Sequence, residues 1–86
     1  MIGRIVCSKA GRDKGYFMVA VKVEGSLLHL CDGNERPLER PTRKNIKHIN
    51  LTTAVLDESS YKSNKSLRKA LAIYRDSTNE GRNQNV

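Results

Sequence analysis

Lys9, Arg12 and Lys14 surround two glycines in the segment Ser8-Lys9-Ala10-Gly11-Arg12-Asp13-Lys14-Gly15. Glycine takes positive φ and lets another backbone come close. Cationic side chains beside such a loop put charge where a phosphate would approach its amides. Gly11 and Gly15 would assist through the backbone and the three basic side chains would take the phosphates. This is binding chemistry, and it points to RNA ahead of any enzyme. A plainer reading stays open here, in which the glycines only satisfy hairpin geometry.

A second cationic group follows at Arg36, Arg40, Arg43, Lys44 and Lys47. Pro37 and Pro41 lie among these residues and restrict the backbone, which lowers the entropic cost of ordering it. Arginine can fork onto phosphate oxygens. Glu35 and Glu39 are interleaved with the arginines, so pairing within the segment is the competing reading.

Other chemistries find little footing. Cys7, His29, Cys31 and His48 lack the paired spacing of a zinc site. No metal and no cofactor is expected, and the cysteines read as small buried thiols. The carboxylates are scattered among basic residues, no Ser-His-Asp or Cys-His constellation stands out, and the glycines form no Walker or dinucleotide pattern. The chain does not read as an enzyme.

The 86 residues suffice for one domain with a modest core. Sixteen Lys and Arg against nine Asp and Glu give a formal net charge of +7 and a pI near 9.8. That balance favours a polyanionic partner, although a merely soluble basic domain would share it. Residues 1–51 hold ten basic and five acidic side chains, a net of +5, which leaves +2 for residues 52–86. Aromatic residues make up 5% and tryptophan is absent, which argues against base-stacking platforms. No apolar run reaches the roughly 18 residues of a membrane span, and Met1-Ile2-Gly3-Arg4 does not read as a signal peptide. The expectation is a cytoplasmic chain with free thiols at Cys7 and Cys31.

The elements that must carry these groups follow from periodicity. Arg4 to Ser8 reads as a first strand. Tyr16 to Val23 reads as a second, with Phe17, Val19, Val21 and Val23 alternating against Met18, Ala20, Lys22 and Glu24 and one face in the core. Glu24-Gly25-Ser26 turns the chain into a third strand from Leu27 to Cys31, and Asp32-Gly33-Asn34 closes it. An irregular stretch brackets Pro37 and Pro41, and strand character returns from Asn45 to Leu51. Short strands at close spacing suggest a small barrel. Ser63-Asn64 is a candidate cap for a helix from Lys65 to about Arg75, with Leu67, Ala70, Leu71 and Tyr74 as its apolar stripe. The domain is expected to span residues 1–76, with a flexible polar tail over 77–86.

The ordered features also carry a resemblance. Gly3-Arg4-Ile5-Val6, then Ala10-Gly11, then Lys14-Gly15 before an apolar strand, resembles the KOW motif of ribosomal and transcription-associated RNA binders. Leu28-His29-Leu30-Cys31-Asp32-Gly33, the segment Arg43 to Thr52 and the helix around Leu67-Arg68-Lys69-Ala70-Leu71 resemble successive parts of the eukaryotic and archaeal large-subunit ribosomal protein family L-fourteen-e. The resemblance covers roughly residues 2 to 75. It implies an SH3-like β-barrel with a C-terminal helix that binds ribosomal RNA through Lys9, Gly11, Arg12, Lys14 and Gly15, as part of, or beside, the large ribosomal subunit. Asp13 and Tyr16 depart from the pattern, the first by its charge inside the loop and the second by replacing a frequent lysine. The expected function is binding of structured RNA, with recognition by backbone and shape, by a chain that is a monomer when free. The alternative is an SH3-like adaptor that docks on proteins of the transcription or translation machinery. The shortage of aromatics for a peptide groove counts against it.

Overall fold

The computed structural model describes the backbone of residues 1–84 and the side chains of residues 1–77. Five strands form one antiparallel sheet: β1 (Arg4–Ser8), β2 (Phe17–Glu24), β3 (Leu27–Cys31), β4 (Thr42–Asn45) and β5 (Ile49–Val55). One helix, α1 (Asn64–Gln84), follows. The sheet order is β4-β3-β2-β1-β5. The fold is mainly β, with strands 1 to 3 and the start of the helix close to where their periodicity puts them.

The stretch expected as one strand from Asn45 to Leu51 instead spans the last residue of β4, a turn and the start of β5. Asn45 accepts the Lys47 N–H on its side-chain oxygen at 3.1 Å, and this local bond opens a single 3-10 turn over Ile46–His48. β4 and β5 are the two edges of the sheet, yet only this turn joins them. A flat five-stranded sheet would hold its edges about 19 Å apart, four spacings of about 4.8 Å. Four 3-10 steps advance only about 8 Å. The sheet therefore curls, with its edges brought together at residues 46–48. Ile46 N–H donates to the Ser26 carbonyl at 2.9 Å, and the His48 carbonyl accepts Lys9 N–H at 2.9 Å, so the turn ties the β2–β3 hairpin to the β1–β2 loop.

Curling explains why β2 is buried on both faces rather than on one. Val6, Met18, Ala20, Leu28, Leu30 and Ile49 pack inside the curl. Ile5, Val19 and Cys31 point the other way, against Leu67 and Leu71 of α1, with Phe17 and Tyr74 alongside. The Phe17 and Tyr74 rings meet edge-on with centroids 5.2 Å apart. Val21 still packs partly against this layer, while Val23, nearer the end of β2, is exposed.

Ser63 caps α1 by accepting the Ser66 N–H at 3.1 Å. Asn64 reaches across to the proline segment, accepting Leu38 N–H and donating to the Glu39 carboxylate, both at 2.8 Å. Gly33 lets the turn after β3 lie against the helix: its φ is +81°, and a Cβ there would stand 2.5 Å from the Asn64 carbonyl oxygen. The helical backbone continues past Arg75 to Gln84, through most of the stretch expected as a polar tail. The side chains of 78–86 and the backbone of 85–86 lie outside the described residues. Among the described residues no helix is long and apolar enough to cross a membrane.

Cys7 and Cys31 are both free thiols. Cys31 is buried, while Cys7 is only partly so. Burial, with smaller contributions from Asp32 and Glu39, pushes the Cys31 thiol up to about 11. At pH 8 about one molecule in a thousand then carries the reactive thiolate. Iodoacetamide at pH 8 is expected to leave Cys31 unmodified in the native protein and to alkylate it rapidly in denaturant, as read by mass spectrometry. Fast native modification would show that the sheet opens beneath α1.

Candidate nucleic-acid interface

The β1–β2 loop is built by its own backbone. Ser8 N–H donates to the Tyr16 carbonyl at 3.2 Å, and Gly15 N–H donates back to Ser8 at 2.9 Å. Between them, Lys14 N–H reaches the Gly11 carbonyl at 3.2 Å and Tyr16 N–H the Asp13 carbonyl at 2.9 Å. Gly11 and Gly15 take φ of +79° and +87°, which only glycine adopts at little cost. The Gly15 amide is thus committed to closing the hairpin and is not an amide offered to a phosphate. Its contribution to the loop is conformational.

Asp13 changes the meaning of the loop. Read from sequence it is a stray negative charge among cations. In the fold it is 3% exposed, and its carboxylate accepts from Arg36 at 3.2 and 3.4 Å. Lys44 Nζ lies 3.6 Å from the same carboxylate. Neither Glu35 nor Glu39, the partners of the competing reading in which the segment pairs with itself, makes an ion pair among the described residues; Glu39 binds Asn64 instead. Asp13 therefore straps the loop to the second basic segment at two points, Arg36 and Lys44. Burying this carboxylate is tolerable because it is paired and hydrogen-bonded.

The strap divides the ten residues singled out by sequence. Arg36 and Lys44 turn inward; Arg36 also buries its Nε without a partner. Lys9, Arg12, Lys14, Arg40, Arg43 and Lys47 stay exposed. Two shallow grooves make the face continuous. One brings Ala10 and Gly11 beside Arg43, Lys44 and His48. The other brings Arg12 and Tyr16 beside Glu35 and Arg36. The loop and the segment 36–47, separate in sequence, form one cationic surface. Glu24 lies near one edge of it: the hydrogen bond with His29 first, then Lys22, hold its carboxyl below the usual range, and Arg43 adds to this.

Among the described residues no three of His, Cys, Asp and Glu converge as metal ligands. His29 is taken up by Glu24 at 3.0 Å. Sequence reasoning missed two residues here. Asp13 is the strap, and a lone acid between cations in a glycine turn was the available signal. Tyr16 presents an exposed ring beside Arg12, which composition alone could not locate. Comparison with models of protein families and with curated proteins gives no match, so the face must be read from its own chemistry.

Proposed function

We propose that this chain is a KOW-type, SH3-like barrel that binds structured RNA, ribosomal RNA above all, through the joined face of the β1–β2 loop and residues 36–47. The barrel reading is supported by the strand order and by the single 3-10 turn that brings the two edge strands together. The observation that carries the functional reading is the Asp13 strap. It holds two basic segments in one place and leaves six cationic side chains facing solvent. A surface whose charge served only solubility would have no need of such an internal brace. Fixed cations on a rigid backbone suit a duplex or folded RNA, where phosphate spacing and groove shape are read.

The test is the affinity for a refolded ribosomal RNA fragment across a range of salt concentrations. Log affinity is expected to fall linearly with log salt. Removing Arg40 and Arg43 together (Arg40→Ala, Arg43→Ala) should weaken binding and flatten that slope by about two, one for each phosphate no longer neutralised. An unchanged slope would remove the segment 36–47 from the interface. Failure of the parent protein to bind at low salt would remove the RNA reading itself.

A further inference from the structure

A larger groove adjoins the basic face. It has a volume of about 580 Å3, within the roughly 300–1,000 Å3 of small-ligand sites. Tyr16 and Glu35 line both this groove and the smaller one that contains Arg12 and Arg36, so the two run together. Phe17 and Leu71 give it apolar lining, and Arg68 and Arg75 of α1 also border it. Arg68 is fixed there by donating to the Gly33 carbonyl at 2.8 Å.

Tyr16, Asn34, Glu35 and Arg75 line this groove with side chains that make no hydrogen bond or ion pair among the described residues, and of these Tyr16 and Glu35 stand where the two grooves join. Tyr16 is 52% exposed, and its side chain makes no hydrogen bond or ring contact among the described residues. Of the two carboxylates, Asp32 is committed: one oxygen accepts the backbone N–H groups of Asn34 and Arg36 at 2.8 and 2.9 Å. Glu35 is exposed and makes no hydrogen bond or ion pair among the described residues. A free aromatic ring thus stands with a free carboxylate at the edge of a phosphate-seeking surface. For phosphates alone, the carboxylate would be repulsive. It suits a base that offers two adjacent donors. Guanine does so through N1–H and its exocyclic amino group. Adenine and cytosine set an acceptor beside their amino group, and uracil flanks its single N–H with carbonyls. Unpaired bases are the part of an RNA that can be splayed out, stacked on an aromatic ring and read on this edge.

We propose that this groove takes one unpaired guanine of the bound RNA. Its base stacks on Tyr16, its Watson–Crick edge donates to Glu35, and its flanking phosphates lie toward Arg12 on one side and toward Arg68 and Arg75 on the other. The inference rests on the RNA reading above and gives base preference to a face that otherwise reads backbone and shape.

The experiment uses five hairpin RNAs that differ only in a single-nucleotide bulge: none, G, A, C or U. Binding to the full chain is followed by fluorescence anisotropy. The G bulge is expected to bind about tenfold more tightly than the A, C or U bulges, the scale of one stacked and edge-read base. Tyr16→Ala should bring the G bulge down to the level of the others, and Tyr16→Phe should keep the preference. Glu35→Gln should lower the ratio of G to A. Both side chains are exposed, so the variants are expected to fold. Equal binding of all four bulges, or preference for another base, overturns the guanine site while the RNA reading stands. No binding of any of the five at low salt overturns both.

Discussion

Arg12→Glu combined with Lys14→Glu is expected to abolish binding of structured RNA while the domain stays folded. Both side chains are exposed, and neither makes a hydrogen bond or ion pair among the described residues. The double reversal changes four units of charge, taking the formal net charge from +7 to +3. In water, two unit charges at contact distance interact by about 1 kcal/mol. Reversing one cation therefore swings its interaction with a phosphate by about 2 kcal/mol, and reversing two by about 4 kcal/mol. That corresponds to roughly a thousandfold loss of affinity. Gly11, Asp13 and Gly15, which set the loop geometry, are untouched, so circular dichroism and the thermal midpoint should match the parent protein. Fluorescence anisotropy with the refolded ribosomal fragment checks the binding. An affinity within threefold of the parent would take the loop out of the interface, whatever the family resemblance implies.

The sequence made the loop legible because its signal is local. Glycine spacing and flanking cations need no knowledge of what the loop touches. The same holds for β1, β2 and β3, whose alternation and intervening turns lie within a few residues, and for the helix stripe of Leu67, Leu71 and Tyr74. β4 was not legible, because Thr42-Arg43-Lys44-Asn45 contains no apolar residue. It is a strand because β3 offers it a ladder, with Leu30 opposite Thr42 and Leu27 opposite Asn45, and such context overrides propensity. The alternation from Asn45 to Leu51 misled for the opposite reason: one side-chain bond at Asn45 starts a turn inside it. Burial of β2 on both faces requires knowing that the sheet curls. At the site, the cations could be counted but not sorted. Arg36 is 23 positions from Asp13, and no periodicity reports a contact at that range.

Asp13→Ala separates the strap from simple charge counting, because the two give opposite expectations. Removing a carboxylate from a basic face raises the net charge from +7 to +8 and releases Arg36 and Lys44. On charge alone the variant should bind RNA more tightly and stand as firmly as before. The geometry says otherwise. Without Asp13, the partly buried Arg36 and Lys44 face each other as like charges, their side chains only 34% and 19% exposed. Breaking a fully buried pair costs about 3–5 kcal/mol. The partial exposure of Arg36 reduces this to about 2 kcal/mol. For a domain of this size, that lowers the thermal midpoint by roughly 8–16 °C. The loop is also no longer anchored to the segment 36–47. Ordering it again on binding costs about 1–2 kcal/mol for each residue that must be fixed, which outweighs one added charge in water. Asp13→Ala is therefore expected to bind about tenfold more weakly, not more tightly. Asp13→Asn, which keeps the side-chain oxygen for Arg36, should fall between the two proteins in both measurements. Adding Arg36→Met to Asp13→Ala should recover part of the stability, since it removes a cation left without its partner, but none of the affinity. Tighter binding by Asp13→Ala at an unchanged midpoint would mean that Asp13 only dilutes the charge of the face and that the two basic segments act independently.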